Sequence, residues 1–388
     1  MSKNYKDNLP ITAVKFMEEF RRYRKGSVTR RHFLGVTGLG TAMAVLGAAV
    51  PGLAPRAAHA YGELGDRLVF STWPNYHNPV NLEEFTETTG VNIQVNAFGS
   101  NEEMLAKLQA GGAGWDVFVP TNYTITTYVE LGLIQELDLS LIPNFDAASQ
   151  NPVFAGPATV NGKVYAVPKN WGTTGFVVNT KQITSGPKSW KDFFDVTMGA
   201  GSGHTIVHDY QLTTIGAAMC AFGFSFNSIV PEELDKAEKL LIDAKPHLFA
   251  ITSDYQPGMR SGDAWMSICW TGDGKQLNTD LPEMEYVVAS DGGELWSDFY
   301  AIPSDAPHLT AAYAFINYMQ DPYIQARDFA VHGYPTSDSR VDAMLPADTI
   351  NDPILYPAKE LMDGLEFGAA KTLTDPGRAE VMARFKSA

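Results

Sequence analysis

From Asp66 onward the chain alternates short apolar runs with stretches of helical period. Residues 68–70 predict a strand, 81–89 a helix, and 91–95, where apolar and polar positions alternate, a second strand. Residues 100–110 predict a helix signed at both ends: Ser100 and Glu103 stand at capping-box spacing, and Gly111-Gly112 stop it. A strand over 116–119 follows. A second unit opens after Tyr165-Ala166-Val167-Pro168, with strands at 175–179 and 205–208. Its helices run over 213–221, Pro231–Ala244 and 311–319, with Pro231 suited to a first helical turn. Strands alternating with helices argue for an α/β chain with parallel sheets covered on both faces. Because 388 residues exceed a typical domain of ~100–150, two α/β lobes with a cleft between them is the economical architecture. No repeat of fixed period points to a solenoid.

Charge divides the chain at its start. Residues 1–60 hold ten Lys/Arg and three Asp/Glu, so the remaining 328 residues carry −15 − 7 = −22. A body that acidic repels nucleic acid and anionic membrane surfaces and favours cations in its clefts. Within the basic segment, Arg30-Arg31-His32-Phe33-Leu34 precedes a Gly/Ala-rich apolar run, and Ala58-His59-Ala60 has the small residues of a cleavage site. This reads as a twin-arginine export signal spanning residues 1–60 and a periplasmic destination. A membrane-anchoring helix is the alternative, disfavoured by the Gly and Pro interruptions. Only Cys220 and Cys269 are present, each in an apolar setting, which excludes a disulfide framework but leaves open whether the two pair.

Enzyme signatures are missing: no Gly-x-Ser-x-Gly, His-Glu-x-x-His, Walker loop or dinucleotide fingerprint occurs. Thr271-Gly-Asp-Gly-Lys275 reads as a turn. His204 and His208 flank a strand and lie too far apart for one ion, so neither metal nor cofactor is expected. What stands out is aromatic residues beside carboxylates at strand ends: Trp73-Pro-Asn-Tyr76, Pro120-Thr-Asn-Tyr123, His208-Asp209, Trp270-Thr-Gly-Asp273 and Trp296-Ser-Asp298. Ligands of open α/β sheets bind beyond strand C-termini, aromatic faces attract cations, and carboxylates bind ammonium groups. Taken singly, each Trp is as well explained by packing, and Asp209 by capping the next helix.

In order and spacing, Trp73–Tyr76, 99–108, 115–123, 167–172, Trp270–Asp273, 292–303 and 333–336 resemble the periplasmic spermidine/putrescine-binding proteins of ABC importers. The resemblance implies a non-enzymatic, monomeric solute-binding protein with a two-lobe type II periplasmic binding fold. Such a protein would capture a polyamine or related small organic cation by lobe closure and deliver it to an inner-membrane permease, after export by the twin-arginine machinery. One lobe would comprise 61–168 and 299–333, the other 169–298 and 334–388. Carried over by position, Trp73, Tyr76, Trp270 and Trp296 would wall the methylene chain. Asp298 and Asp273 would pair with ammonium groups, Asp209 with the far end, and Tyr123, Ser253 and Tyr334 would hydrogen-bond at the ends. Three positions depart from the pattern: Pro74 has no donor, Leu212 replaces an acid, and the Gln expected near Phe367-Gly368 is missing. A distal end that has lost polarity implies a short diamine such as putrescine, or an amine with one apolar end. A different small solute on the same fold, or an exported enzyme, are the competing readings.

Overall fold

The computed structural model describes residues 63–388. The export signal and the anchoring alternative lie outside that range. Among the described residues no helix is long and apolar enough to cross a membrane.

Twelve strands form the framework: β1 (Arg67–Thr72), β2 (Asn92–Ala97), β3 (Val117–Phe118), β4 (Thr159–Val160), β5 (Lys163–Val164), β6 (Ala166–Asn179), β7 (Thr205–Val207), β8 (Leu248–Ile251), β9 (Met266–Trp270), β10 (Met284–Val287), β11 (Glu294–Ala301) and β12 (Glu366–Phe367). β4 and β5 pair only with each other, and the rest run as one sheet in the order β2-β1-β3-β11-β6-β9-β7-β8, with β10 on β6 and β12 on β11. The outer blocks are parallel as expected, β2-β1-β3 at one end and β9-β7-β8 at the other. The middle is not: β3, β11, β6 and β9 are antiparallel neighbours. The difference comes from β6 and β11, long strands that run through the sheet centre and join the two parallel blocks.

β1 lacks period-two alternation because both its faces are covered: Val69 packs into one core cluster, Leu68 and Phe70 into another. Helix α1 (Pro79–Thr89) starts where the Asn78 side chain accepts from Val80 N, and it ends at Gly90 in the left-handed region. In α2 (Asn101–Gln109) the Ser100 hydroxyl accepts from Glu103 N as expected, but Glu103 reaches one residue further back, to Gly99 N at 2.8 Å, so the capping box is incomplete. α3 (Asn122–Glu130) follows β3 directly. Helices α4 (Trp190–Met198), α5 (Gln211–Cys220) and α6 (Pro231–Ala244) cover the second block. α7 (Thr271–Asp280) follows β9 without a loop, so Thr271–Lys275 is a helical turn and not the isolated turn expected from its glycines. α8 (Leu309–Met319) packs Phe315 on Phe70 of β1, with ring centroids 5.0 Å apart, and α9 (Pro322–His332) follows it. α10 (Pro376–Ser387) ends the chain against α5 and α6.

β6 is longer than the expected 175–179 strand because its first half breaks the apolar pattern while remaining buried: Lys169 is 4% exposed and Asn170 1%. Opposite it, Asp298 pairs with Asn170 and Phe299 with Pro168, so Lys169 is the extra residue of a β-bulge. A bulge re-aims a side chain and accommodates a proline that cannot donate to the ladder. Lys169 Nζ turns to Asp328 Oδ2 on α9, 2.6 Å away. Both cysteines are free and buried.

Candidate functional site

The strand C-termini and the two central strands deliver the expected residues in unequal groups. Tyr76, in the turn after β1, places its hydroxyl 2.7 Å from Asp298 Oδ2 and 2.6 Å from Asn170 Oδ1. Its ring meets that of Tyr334 edge-on at 5.2 Å, and Tyr334 meets Trp296 at 5.3 Å. Tyr76, Trp296, Asp298 and Tyr334 are therefore one cluster, each no more than 6% exposed. Gly172 makes room for it: a Cβ there would stand 2.6 Å from the Trp296 ring. Asp298 Oδ1, Trp296 Nε1 and Asn170 Nδ2 are buried without a hydrogen-bond partner from the protein. Unpaired buried polar groups are uncommon and cost free energy, so this set is poised for polar ligand atoms.

Asp273 lies beside the cluster next to Tyr334, and its Oδ2 accepts from Tyr255 at 2.7 Å. It is half-buried in the first turn of α7, where a carboxylate also suits the helix dipole. Trp270, at the end of β9, forms a second aromatic group with His208 at 4.4 Å and Tyr255 at 5.8 Å, and its backbone N–H donates to the Tyr255 hydroxyl oxygen at 3.1 Å. Asp209 does not cap α5, whose N-cap position is Tyr210; it accepts from the Ser253 hydroxyl. Trp73 donates from Nε1 to the Val119 carbonyl at 3.1 Å and packs edge-on against Phe98. None of the cluster's contacts above reaches Trp73 or the Asp209–Ser253 pair. Tyr123, on α3, is buried with its hydroxyl unpartnered.

His204 stacks on Trp265 at 3.6 Å, while His208 bonds Thr213 through Nδ1. Among the described residues no group of His, Cys, Asp or Glu is arranged to hold a metal ion.

Electrostatics sets the acids apart. Burial pushes the Asp298 carboxyl up to about 7, against the hydrogen bond from Tyr76, the neighbouring Thr121 hydroxyl and the field of Lys169. Burial pushes Glu294 up to about 8 with help from Asp298, although the Thr174 hydroxyl donates to it at 2.5 Å. Asp273 is raised by burial, with Tyr255, Gln256 and Tyr334 opposing. Burial also raises the Tyr123 phenol, and nearby Glu102, Tyr210 and Glu294 add to the effect. Glu102, Glu294, Tyr210 and Asn170 were not among the expected site residues. For Glu294 a signal existed, since it stands two and four residues before Trp296 and Asp298 on one strand.

The cluster rests on a buried charge network. Burial opposes the Asp328 carboxylate, but Lys169 and His332 hold it well below the usual range. His332 Nδ1 accepts from Tyr334 N at 3.0 Å, so the neutral ring carries its proton on Nε2, 3.3 Å from Asp328 Oδ2. Asp328 Oδ1 accepts from Asn78 N at 2.7 Å, which ties the turn bearing Tyr76 to α9. Lys169 Nζ also lies over the Tyr76 ring, 4.8 Å from its centroid, so one face of that tyrosine already holds an internal cation.

A sequence profile described as bacterial extracellular solute-binding protein matches residues 82–357. A putrescine-binding periplasmic protein of Pseudomonas aeruginosa is 28% identical over 308 residues, covering 76% of this chain and 84% of that one. The spermidine/putrescine-binding periplasmic protein of Escherichia coli is 29% identical over 336 residues, covering 85% and 94%. Among solved structures, a putative spermidine/putrescine ABC transporter from Listeria monocytogenes superposes with a TM-score of 0.76 at 26% identity, over 83% of this chain and 99% of its own. The sheet described above is thus that of the two-lobe type II periplasmic binding fold, as the resemblance implied. With the profile spanning most of the described residues, the chain belongs to the bacterial extracellular solute-binding protein family.

Proposed function

We propose that the protein binds a short diamine or polyamine in the cleft between its lobes and hands it to an inner-membrane ABC permease. The observation that carries this reading is Asp298: a buried carboxylate with one oxygen unpaired, set among Tyr76, Trp296 and Tyr334. An ammonium group restores the missing hydrogen bond and neutralises the charge, while the aromatic rings take the methylenes and attract the cation by ~0.5–2 kcal/mol each. The relatives named for putrescine or spermidine support the same class. Trp270, Asp273, Tyr123, Trp73 and the Asp209–Ser253 pair belong to this reading as the remaining walls and ends. The lobes comprise 61–168 with 299–333 and 169–298 with 334–388, and they close by bending where β6 and β11 cross. Closure follows from tighter contacts to ligand in the closed state. Residues 1–60, with Arg30-Arg31, direct the chain through the twin-arginine route to the periplasm. There it acts as a monomer and catalyses no reaction.

The test is a thermal-shift screen of the purified protein against putrescine, cadaverine, agmatine, spermidine, choline, glycine betaine and anions, because a ligand of the native state raises the melting temperature. A rise with diamines or polyamines supports the reading; a rise only with betaine or an anion overturns the specificity. Asp298→Asn is expected to weaken amine binding by about 1.5–3 kcal/mol, the range for a hydrogen bond to a charged group, with the apo melting temperature not lowered. Unchanged affinity by titration calorimetry removes Asp298 from the site.

A further inference from the structure

β11 presents alternate side chains to opposite faces, so Glu294, Trp296 and Asp298 share the face that carries the aromatic cluster. Glu294 is 2% exposed, and its Oε2 accepts from Thr174, the residue directly across the ladder on β6. Its charge reaches Tyr123 and Tyr210 and is coupled to that of Asp298. Arg378 is the cation whose field it feels, but that guanidinium donates to the Leu212, Phe226 and Ser228 carbonyls at 2.9–3.1 Å. Among the described residues no Lys, Arg or His makes an ion pair with Glu294. A buried carboxyl without a counter-ion is expensive to ionise, so its presence beside a cation site calls for a partner.

Spacing identifies that partner. Four residues of strand span ~13 Å, and two charge-assisted hydrogen bonds of about 2.8 Å leave ~7 Å between the nitrogens of a bridging ligand. Trp296 stands midway between the two acids on the strand, where it would cover the methylenes of such a ligand. We propose that Glu294 is a second ligand-binding carboxylate, holding the far ammonium of a short diamine whose near ammonium rests on Asp298. This inference rests on the amine-binding reading above. It gives the site a length gauge: a diamine fits between the two acids, a monoamine leaves Glu294 unengaged, and a longer triamine must bend.

Titration calorimetry with putrescine and with butylamine, which has the same carbon chain and one ammonium, tests it. Glu294→Gln keeps the volume and the acceptor for Thr174. It is expected to lower putrescine affinity about 10- to 100-fold, the loss of one hydrogen bond to a charged group, and butylamine affinity less than ~3-fold. Equal putrescine affinity in both proteins, or equal losses for both ligands, overturns the role of Glu294 while leaving amine binding in place. Failure of the unaltered protein to bind any amine overturns the reading beneath it. If the variant does not fold, proton release by the unaltered protein decides. Putrescine near pH 7 is expected to expel more protons than butylamine, because it ionises two raised carboxyl groups and not one; equal release sinks the proposal.

Discussion

Asp328→Asn is expected to lower the stability of the ligand-free protein by about 3–5 kcal/mol, the cost of leaving one member of a buried ion pair alone. Lys169 and Asp328 are each about 4% exposed or less, and among the described residues Lys169 makes no second ion pair: the rings of Tyr76 and Tyr300 lie 4.8 and 5.6 Å away, and Asp298 feels only its field. Those rings attract the ammonium by roughly 2 kcal/mol at most, which does not offset the lost pair. The same substitution loosens the Asn78 turn and the His332 ring, and through them Tyr76 and Tyr334. Ligand affinity is therefore expected to fall together with stability. Urea denaturation of the single variants and of Lys169→Met/Asp328→Asn separates the contributions. Removing both charges together is expected to recover part of the loss, since the ammonium is then no longer buried without its partner. A loss below ~1 kcal/mol for Asp328→Asn, the range of an exposed pair, would mean that the network does not hold the site.

That network shows where sequence stops being informative. Pro231–Ala244 was readable to the residue, because Pro231 stands at the first turn and the buried Leu234, Ala237 and Leu241 keep helical spacing. β6 was only half readable: Pro168, Lys169 and Asn170 look like loop residues, and nothing local says that a partner 159 positions away makes Lys169 a buried strand residue. Gly272 and Gly274 suggested a turn for a sound reason that tertiary contact overrules. A Cβ at 272 would lie 2.8 Å from the His332 carbonyl and the Tyr334 ring, and one at 274 would lie 2.4 Å from the Tyr286 ring, so these glycines serve close packing of a helix. At the site, the aromatic and acidic residues at strand ends are visible in the sequence as types, and the fold brings Tyr76, Trp296, Asp298 and Tyr334 into contact. Glu294 carries no local sign of burial; what singles it out is its register with Trp296 and Asp298 on one strand.

The two raised acids make stability and affinity respond to pH in opposite directions. Asp298 at about 7 faces Tyr76, Thr121, Lys169 and Glu294; Glu294 at about 8 faces Thr174, Asp298, Arg378, Tyr123 and Tyr210. In the unfolded chain both carboxyls are ionised above ~5. Between there and their folded values the native state holds protons that the unfolded state has lost, so stability declines as pH rises. Their contribution is fully present at acid pH and disappears through pH 7–8, at up to about 1.4 kcal/mol per unit for each group. From pH 6.5 to 9 the ligand-free protein is thus expected to lose roughly 2–4 kcal/mol. His208 and His332, held down to about 3 and 4 by burial, act below pH 6.5, where the unfolded histidines take up protons and stability falls with falling pH. An ammonium ligand requires the anionic acids, so its affinity climbs over the same interval in which the apo protein weakens. Melting curves with and without putrescine from pH 6.5 to 9 are therefore expected to separate as pH increases. In Asp298→Asn the apo curve keeps only the Glu294 slope, which fades above pH 8. Curves that run parallel across the interval, with a constant ligand shift, would show that Asp298 and Glu294 are ionised before ligand arrives and that burial does not govern their charge.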